Sequence, residues 1–111
     1  MIRLTTEGTP MLELRPTCEH CDKALPPAST EAMICSFECT FCHDCVALLS
    51  NVCPNCGGGF VPRPIRPAQD WKNGNTLARH PASSQVVHHP VDLAAHALLV
   101  AAAGALSPPQ R

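Results

Sequence analysis

The chain has 111 residues, eight of them cysteine, with three Phe, one Trp, no Tyr and a formal charge of −1. That length supports one small domain and a tail, and so few aromatics exclude a large apolar core, leaving disulfide or metal cross-links to substitute for it. The charge is unevenly divided: from Met11 to Val61, Arg15 and Lys23 stand against Glu13, Glu19, Asp22, Glu31, Glu38 and Asp44, whereas from Pro62 onward Arg63, Arg66, Lys72, Arg79 and Arg111 outnumber Asp70 and Asp92.

Taken in chain order, Met1–Pro10 is polar and without periodicity, and is expected to be a flexible leader. It lacks the apolar run and small-residue cleavage site of a signal peptide. A cytoplasmic, reducing setting is therefore expected, in which an even cysteine count points to metal-bound thiolates rather than disulfides. Every cysteine lies in 11–61, the expected folded module. Within it ALPPAST (Ala24–Thr30) reads as a loop, and EAMICSFEC begins with a short apolar run suited to a strand. HDCVALLSN from His43 is helix-permissive, with Val46 and Leu49 three apart and Asp44 placed to favour the helix start. NVCPNCGGGF then reads as a tight turn.

Pro62–Pro90 opens with PRPIRP, whose alternating prolines block helix and favour extended chain. Trp71 is expected to anchor this tail on the acidic module. Val91–Leu106 is alanine-rich and reads as a helix closed by Gly104 and Pro108-Pro109, with Val91, Ala95, Leu98, Leu99 and Ala102 on one stripe. It is shorter than the ~20 residues of a membrane span and carries Asp92 and His96. Residues 107–111 are expected to be a flexible end.

The chemistry sits in the cysteine spacing, Cys18-x2-Cys21-x13-Cys35-x3-Cys39-x2-Cys42-x2-Cys45-x7-Cys53-x2-Cys56. A two-residue gap lets both sulfurs of a pair turn to one side and meet one tetrahedral ion at about 2.3 Å. In Cys53-Pro-Asn-Cys56-Gly-Gly the proline presets the turn, and the glycines permit φ > 0 with N–H groups aimed at the thiolates. Four pairs make two four-cysteine sites with no cysteine left over. Sequential pairing would force Cys42/Cys45 and Cys53/Cys56 to turn back on each other within seven residues that look helical. An interleaved cross-brace avoids this. It assigns Cys18, Cys21, Cys42 and Cys45 to site 1 and Cys35, Cys39, Cys53 and Cys56 to site 2, with two Zn²⁺ per chain. The expected fold is thus a small zinc-stabilised α+β module with one short helix, an extended tail and a C-terminal helix.

The order and spacing of these eight residues resemble the RING finger, with Cys39 where many RING fingers place a histidine. More closely, MLELRPTCEHCDKALPP, ICSFECTFCHDC, CPNCGG and VPRPIRP look like a family of small bacterial proteins known as domain of unknown function 1272. That likeness runs weakly on through ARHPASSQVVHHP. It implies a fold and supplies no activity. Members of the family tend to begin at the position of Met11, so Met1–Pro10 is expected to be an over-extended start. RING ligases grip a conjugating enzyme through an apolar residue in the first knuckle, an aromatic between the sixth and seventh ligands, and a basic residue after the eighth. Here those places hold Glu19-His20, the stretch Val46–Val52 without an aromatic, and Gly57, which weighs against ligase activity.

Competing chemistry finds little support. Cys35, Cys39 and Cys42 have the C-x3-C-x2-C spacing of a radical-enzyme iron–sulfur site, but that assignment strands five cysteines in a chain too short for the accompanying barrel. His20 and His43 lie inside knuckles and read as solvent-facing, since eight cysteines already suffice. His80, His88 and His89 belong to the polar tail. Full coordination leaves no free thiolate beside a base and no open zinc position, so no enzyme is expected. Arg63 and Arg66 suggest phosphates, yet the acidic module and the shortage of aromatics weigh against nucleic acid. The expectation is a zinc-binding protein–protein interaction module, with a redox- or metal-responsive switch as the rival reading.

Overall fold

The structure, a computed structural model, describes residues 11–111; the expected leader at 1–10 lies outside them. Two short apolar runs form the first strands, β1 (Ala32–Ile34) and β2 (Thr40–Cys42), paired antiparallel with Met33 opposite Phe41. A two-residue strand, β3 (Val61–Pro62), adds to the other side of β1, giving the order β2-β1-β3. Pro62 has no N–H to donate and is confined to this edge, as strand geometry requires.

Cys42 ends β2 and is also the N-cap of helix α1 (His43–Leu48). Its side chain makes no capping bond, and Asp44 supplies the favourable charge in the first turn. The helix stops where Ser50 and Asn51 both take left-handed φ values, +56° and +57°. Asn51 uses its Oδ1 to accept the N–H of Phe60 at 2.9 Å. That bond brings Phe60 edge-on to Phe41, ring centroids 5.3 Å apart and planes at 75°. Around this pair Leu25, Val46, Leu49 and most of the cysteines are buried, and Leu14 and Val52 are buried elsewhere in the module. The apolar core is therefore small, and thiols are a large part of it.

Residues 63–90 carry no regular element, and they lie against the module through polar bonds. Arg63 is only 4% exposed. It donates from its backbone N to Ala32 O, and its guanidinium reaches the carbonyls of Arg15 (2.8 Å), Leu25 (3.2 Å) and Pro26 (3.1 Å). Arg66 reaches Leu12 O and His80 O in the same manner. Farther on, Ser83 N donates to Leu14 O and His89 N to Glu19 O. Trp71, expected as the anchor, is instead 77% exposed. An extended, proline-rich chain buries little apolar area, so guanidinium groups filling unpaired loop carbonyls hold it better than one ring.

Helix α2 spans Leu93–Ala103, and Asp92 caps it by accepting the N–H groups of Ala94 and Ala95. Part of the stripe lies on the module, Val91 against the core and Leu99 beside Gly57, but Leu98 is 75% exposed, while His96, outside the stripe, is buried with Nε2 2.8 Å from Val52 O. The reason is that α2 is apolar on nearly every side, so periodicity selects no face. At 107–111, where sequence suggests a flexible end, Pro108–Gln110 forms a 3-10 turn and Arg111 donates to Asn51 O and Gly57 O. No helix among the described residues is long and apolar enough to cross a membrane.

Arg63→Lys keeps the charge but has a single nitrogen to serve carbonyls on two separate segments. We expect it to cost about 1–2 kcal/mol, and Arg63→Ala roughly 3 kcal/mol because the Arg15 and Leu25 carbonyls lose the guanidinium donor, while Pro26 O keeps only the N–H of Ser29. Chemical denaturation checks the order; equal stability of the three proteins would refute the clamp.

Candidate metal centre

Two loops built alike carry the outer cysteines. In Cys18–Lys23 the N–H of Cys18 donates to Lys23 O (2.9 Å) and that of Asp22 to Cys18 O (3.0 Å). In Cys53–Gly58 the same positions are bonded: Cys53 N to Gly58 O (2.8 Å) and Gly57 N to Cys53 O (2.8 Å). The residue after the second cysteine is left-handed in both, Asp22 at φ +64° and Gly57 at φ +80°. This reversal folds the chain back so that the loop interior is lined by N–H groups. Those of Asn55 and Gly58 point at the sulfurs of Cys53 and Cys56, each at 3.4 Å.

The middle cysteines depend on the sheet. Cys35 and Cys39 flank the turn joining β1 to β2, closed by Cys35 N to Cys39 O (3.2 Å) and Glu38 N to Cys35 O (3.0 Å), with Glu38 at φ +67°. Phe37 N donates to Cys35 Sγ at 3.3 Å. Cys42 and Cys45 sit at the strand-to-helix switch, which turns both inward.

These placements gather the thiols of Cys18, Cys21, Cys42 and Cys45 within 4.8 Å of one another, and those of Cys35, Cys39 and Cys53 likewise. The groups alternate along the chain. Cys56, assigned from sequence to the second group, is exposed and its thiol lies outside that trio. Cys35, Cys39 and Cys42 do not share one centre, since Cys42 belongs to the first group and the other two to the second.

The geometry fits a tetrahedral ion. With metal–sulfur bonds of about 2.3 Å, the edge of a tetrahedron of sulfurs is about 3.8 Å. Cys21 Sγ and Cys42 Sγ are 3.8 Å apart. A disulfide would require about 2.05 Å, and all eight thiols are free. The electrostatics point the same way. Burial would push the Cys18 thiol up, but N–H groups of Cys21, Cys42 and His20 outweigh it and hold it below its ordinary value. Cys35 is likewise lowered, burial being overcome by the N–H groups of Phe37 and Cys39. The remaining buried thiols move the other way: burial first, then the neighbouring sulfurs, raise Cys39, Cys42, Cys45 and Cys53. Each group thus favours one thiolate and resists further ones, a resistance that a divalent cation at the centre relieves.

Two residues that spacing alone did not single out stand beside the thiols. Glu19, within the first knuckle, is 4% exposed, and its Oε2 accepts Asn55 Nδ2 at 3.0 Å. The same Asn55 nitrogen lies 3.3 Å from Cys39 Sγ. His43 is exposed, but His20, read as solvent-facing, is half-buried and its Nδ1 accepts the N–H of Val91 at 2.8 Å.

The family described as Protein of unknown function (DUF1272) matches residues 11–66. The chain belongs to that family. The DUF1272 stretch takes in all eight cysteines and ends on Arg66, so it includes the guanidinium clamp but not α2. Among its relatives, "Uncharacterized protein R02474" of Rhizobium meliloti (strain 1021) is 53% identical over 81 residues, covering 72% of this chain and 89% of that protein. No solved structure matches.

Gly57→Ala tests the knuckle turn. An added Cβ there meets nothing closer than Leu99 Cδ1 at 3.9 Å, so any loss comes from backbone conformation. We expect about 1 kcal/mol of destabilisation. Asp22→Gly, at the matching position of the first knuckle, trades relieved strain against glycine's entropy and should come out near neutral. Denaturation midpoints of the two variants check this, and a silent Gly57→Ala would sink it.

Proposed function

We propose that this protein is a zinc-binding interaction module in which Cys18, Cys21, Cys42 and Cys45 hold one Zn²⁺, and Cys35, Cys39, Cys53 and Cys56 a second, in a RING-like cross-brace. The observation that carries this reading is the pair of alternating thiol groups, one of them with a sulfur–sulfur edge of tetrahedral length. Cys56 completes the second set from the far end of the Cys53 knuckle. Thiolate ligands in this number and geometry suit zinc, and closed four-thiolate sites leave no position for water or substrate. Zinc here is structural and the protein is not an enzyme. Binding energy of about 10–16 kcal/mol per site, as in small zinc peptides, is of the size that a module with so few aromatics needs.

A protein partner suits the exterior better than nucleic acid. Arg63 and Arg66 spend their guanidinium groups on internal carbonyls, whereas Phe37 (71% exposed) and Trp71 offer apolar contact area. The rival reading, a redox switch, is favoured by one observation: Cys21 and Cys56 are exposed, one in each proposed set. In such a switch, hydrogen peroxide with two protons takes two electrons from two thiolates of one set, its O–O bond breaking to give two waters as their S–S bond forms, and the site releases its zinc. Rapid, reversible zinc release under mild peroxide separates the switch from an inert scaffold.

Native mass spectrometry of protein expressed without added metal should show two zinc ions per chain, with no visible colour. A strong chelator should unfold it. Cys42→Ser should lose both the first site and the fold, and Cys56→Ser should keep one tight zinc and weaken the second. A brown protein carrying iron and sulfide would overturn the zinc assignment, and a Cys56→Ser variant with two undiminished sites would remove Cys56 from the ligand set.

A further inference from the structure

Glu19 is bonded to both halves of the proposed metal framework. It lies between Cys18 and Cys21, in the first knuckle. Its N–H donates to Thr40 O at 2.9 Å, on the strand that separates Cys39 from Cys42. Its carbonyl accepts the N–H of His89 from the tail at 2.8 Å. Its carboxylate crosses to the last knuckle, where Asn55 Nδ2 donates to Oε2 at 3.0 Å and approaches Cys39 Sγ at 3.3 Å. Both neighbours of that nitrogen are acceptors, so the amide must present its two N–H groups to them. Asn55 is held from its own side too, its backbone N–H directed at Cys53 Sγ. Glu19 is 4% exposed and makes no ion pair among the described residues, so the hydrogen bond from Asn55 is the contact that fixes its carboxylate.

We propose that Glu19 and Asn55 are positioning residues that couple the two metal sites, so that filling one prepares the other. The inference rests on the two-zinc reading. Zinc at Cys18, Cys21, Cys42 and Cys45 fixes the first knuckle and with it the Glu19 carboxylate. The carboxylate holds Asn55 across the second group, where its amide orients the Cys39 sulfur and, through the shared knuckle, Cys53. Loading in the opposite order runs through the same bond, since coupling between sites is reciprocal. A hydrogen bond from an amide to a ligating sulfur is the thiolate counterpart of the outer partners that orient metal-bound histidines.

The test is zinc titration of the full chain, followed by native mass spectrometry at one equivalent of zinc and by chelator competition. The natural protein should show mainly zinc-free and two-zinc species. In Glu19→Ala and in Asn55→Ala the one-zinc species should accumulate, with the second zinc bound about tenfold to a hundredfold more weakly. Asn55 lies at the surface, so its variant breaks the bond without opening the core. Glu19→Gln keeps an acceptor and should stay near the natural protein, and the double variant should be no worse than either single one. If the natural protein takes two zinc ions and the alanine variants load as it does, or their losses simply add, the latch is wrong and the zinc reading stands. If the natural protein takes fewer than two, the zinc reading fails and the latch falls with it.

Discussion

The structure depends on one constraint: sulfurs from remote parts of the chain must meet at two places, and each place draws on segments that flank the other. Cys42 and Cys45 belong with Cys18 and Cys21, although Cys39, three residues before Cys42, belongs with Cys35 and Cys53. Strand β2 therefore separates the centres and ties them together, with Cys39 just before it and Cys42 at its end. No local element could form this arrangement alone. A three-residue strand and a six-residue helix are far too short to persist in water by propensity. They exist because the turns at either side are held, and those turns are held where the thiols converge.

Interleaving also explains why so little apolar core suffices. Phe41 and Phe60 make a single edge-on contact, and the buried residues around them are largely cysteine, leucine and valine. Chain entropy opposes such a fold at about 1–2 kcal/mol per ordered residue. A core of this size offsets only part of that. Metal links at the two thiol groups, as proposed, would act on the same entropy from the other side, since alternating pairs close longer loops than adjacent pairs. The arrangement that makes the chain hard to assemble locally is the one from which each link contributes most.

How much of this was legible in the sequence depended on whether a residue's role is set by its neighbours along the chain or by residues far away. The knuckle turns were visible because Pro54 and the glycines after Cys56 state their backbone demands locally. The interleaving was favoured over sequential pairing on geometry, since the latter would turn two pairs back on each other within seven residues that look helical. Asp22, in contrast, takes the left-handed place that Gly57 takes in the matching loop, and an aspartate, though tolerant of that conformation, announces it far less than a glycine does. Glu19 read as one more surface acid in an acidic module, since its partner Asn55 lies 36 positions away. Arg63 was visible as a cation between prolines but not as a buried clamp, because the carbonyls it fills belong to irregular loops whose polar demands no pattern reports.

Helix α2 shows the same limit from the opposite side. Its sequence predicts a helix strongly and an orientation not at all, since alanine, leucine and valine surround it without a polar face. Hydrophobicity is non-directional, so an apolar cylinder can lie on the module at many rotations with nearly equal burial. Direction comes from polar bonds. His96 presents Nε2 to the carbonyl of Val52, Asp92 fixes the first turn, and Val91 donates to His20 inside the first knuckle. An imidazole in the middle of an alanine-rich helix is costly to bury unless it is bonded. That cost is what selects one rotation from the rest: any turn of the helix that exposes another stripe also strands His96 or leaves Val52 without its donor. The one polar residue in the helix interior, easily dismissed as an interruption of an apolar run, is the residue that defines its place.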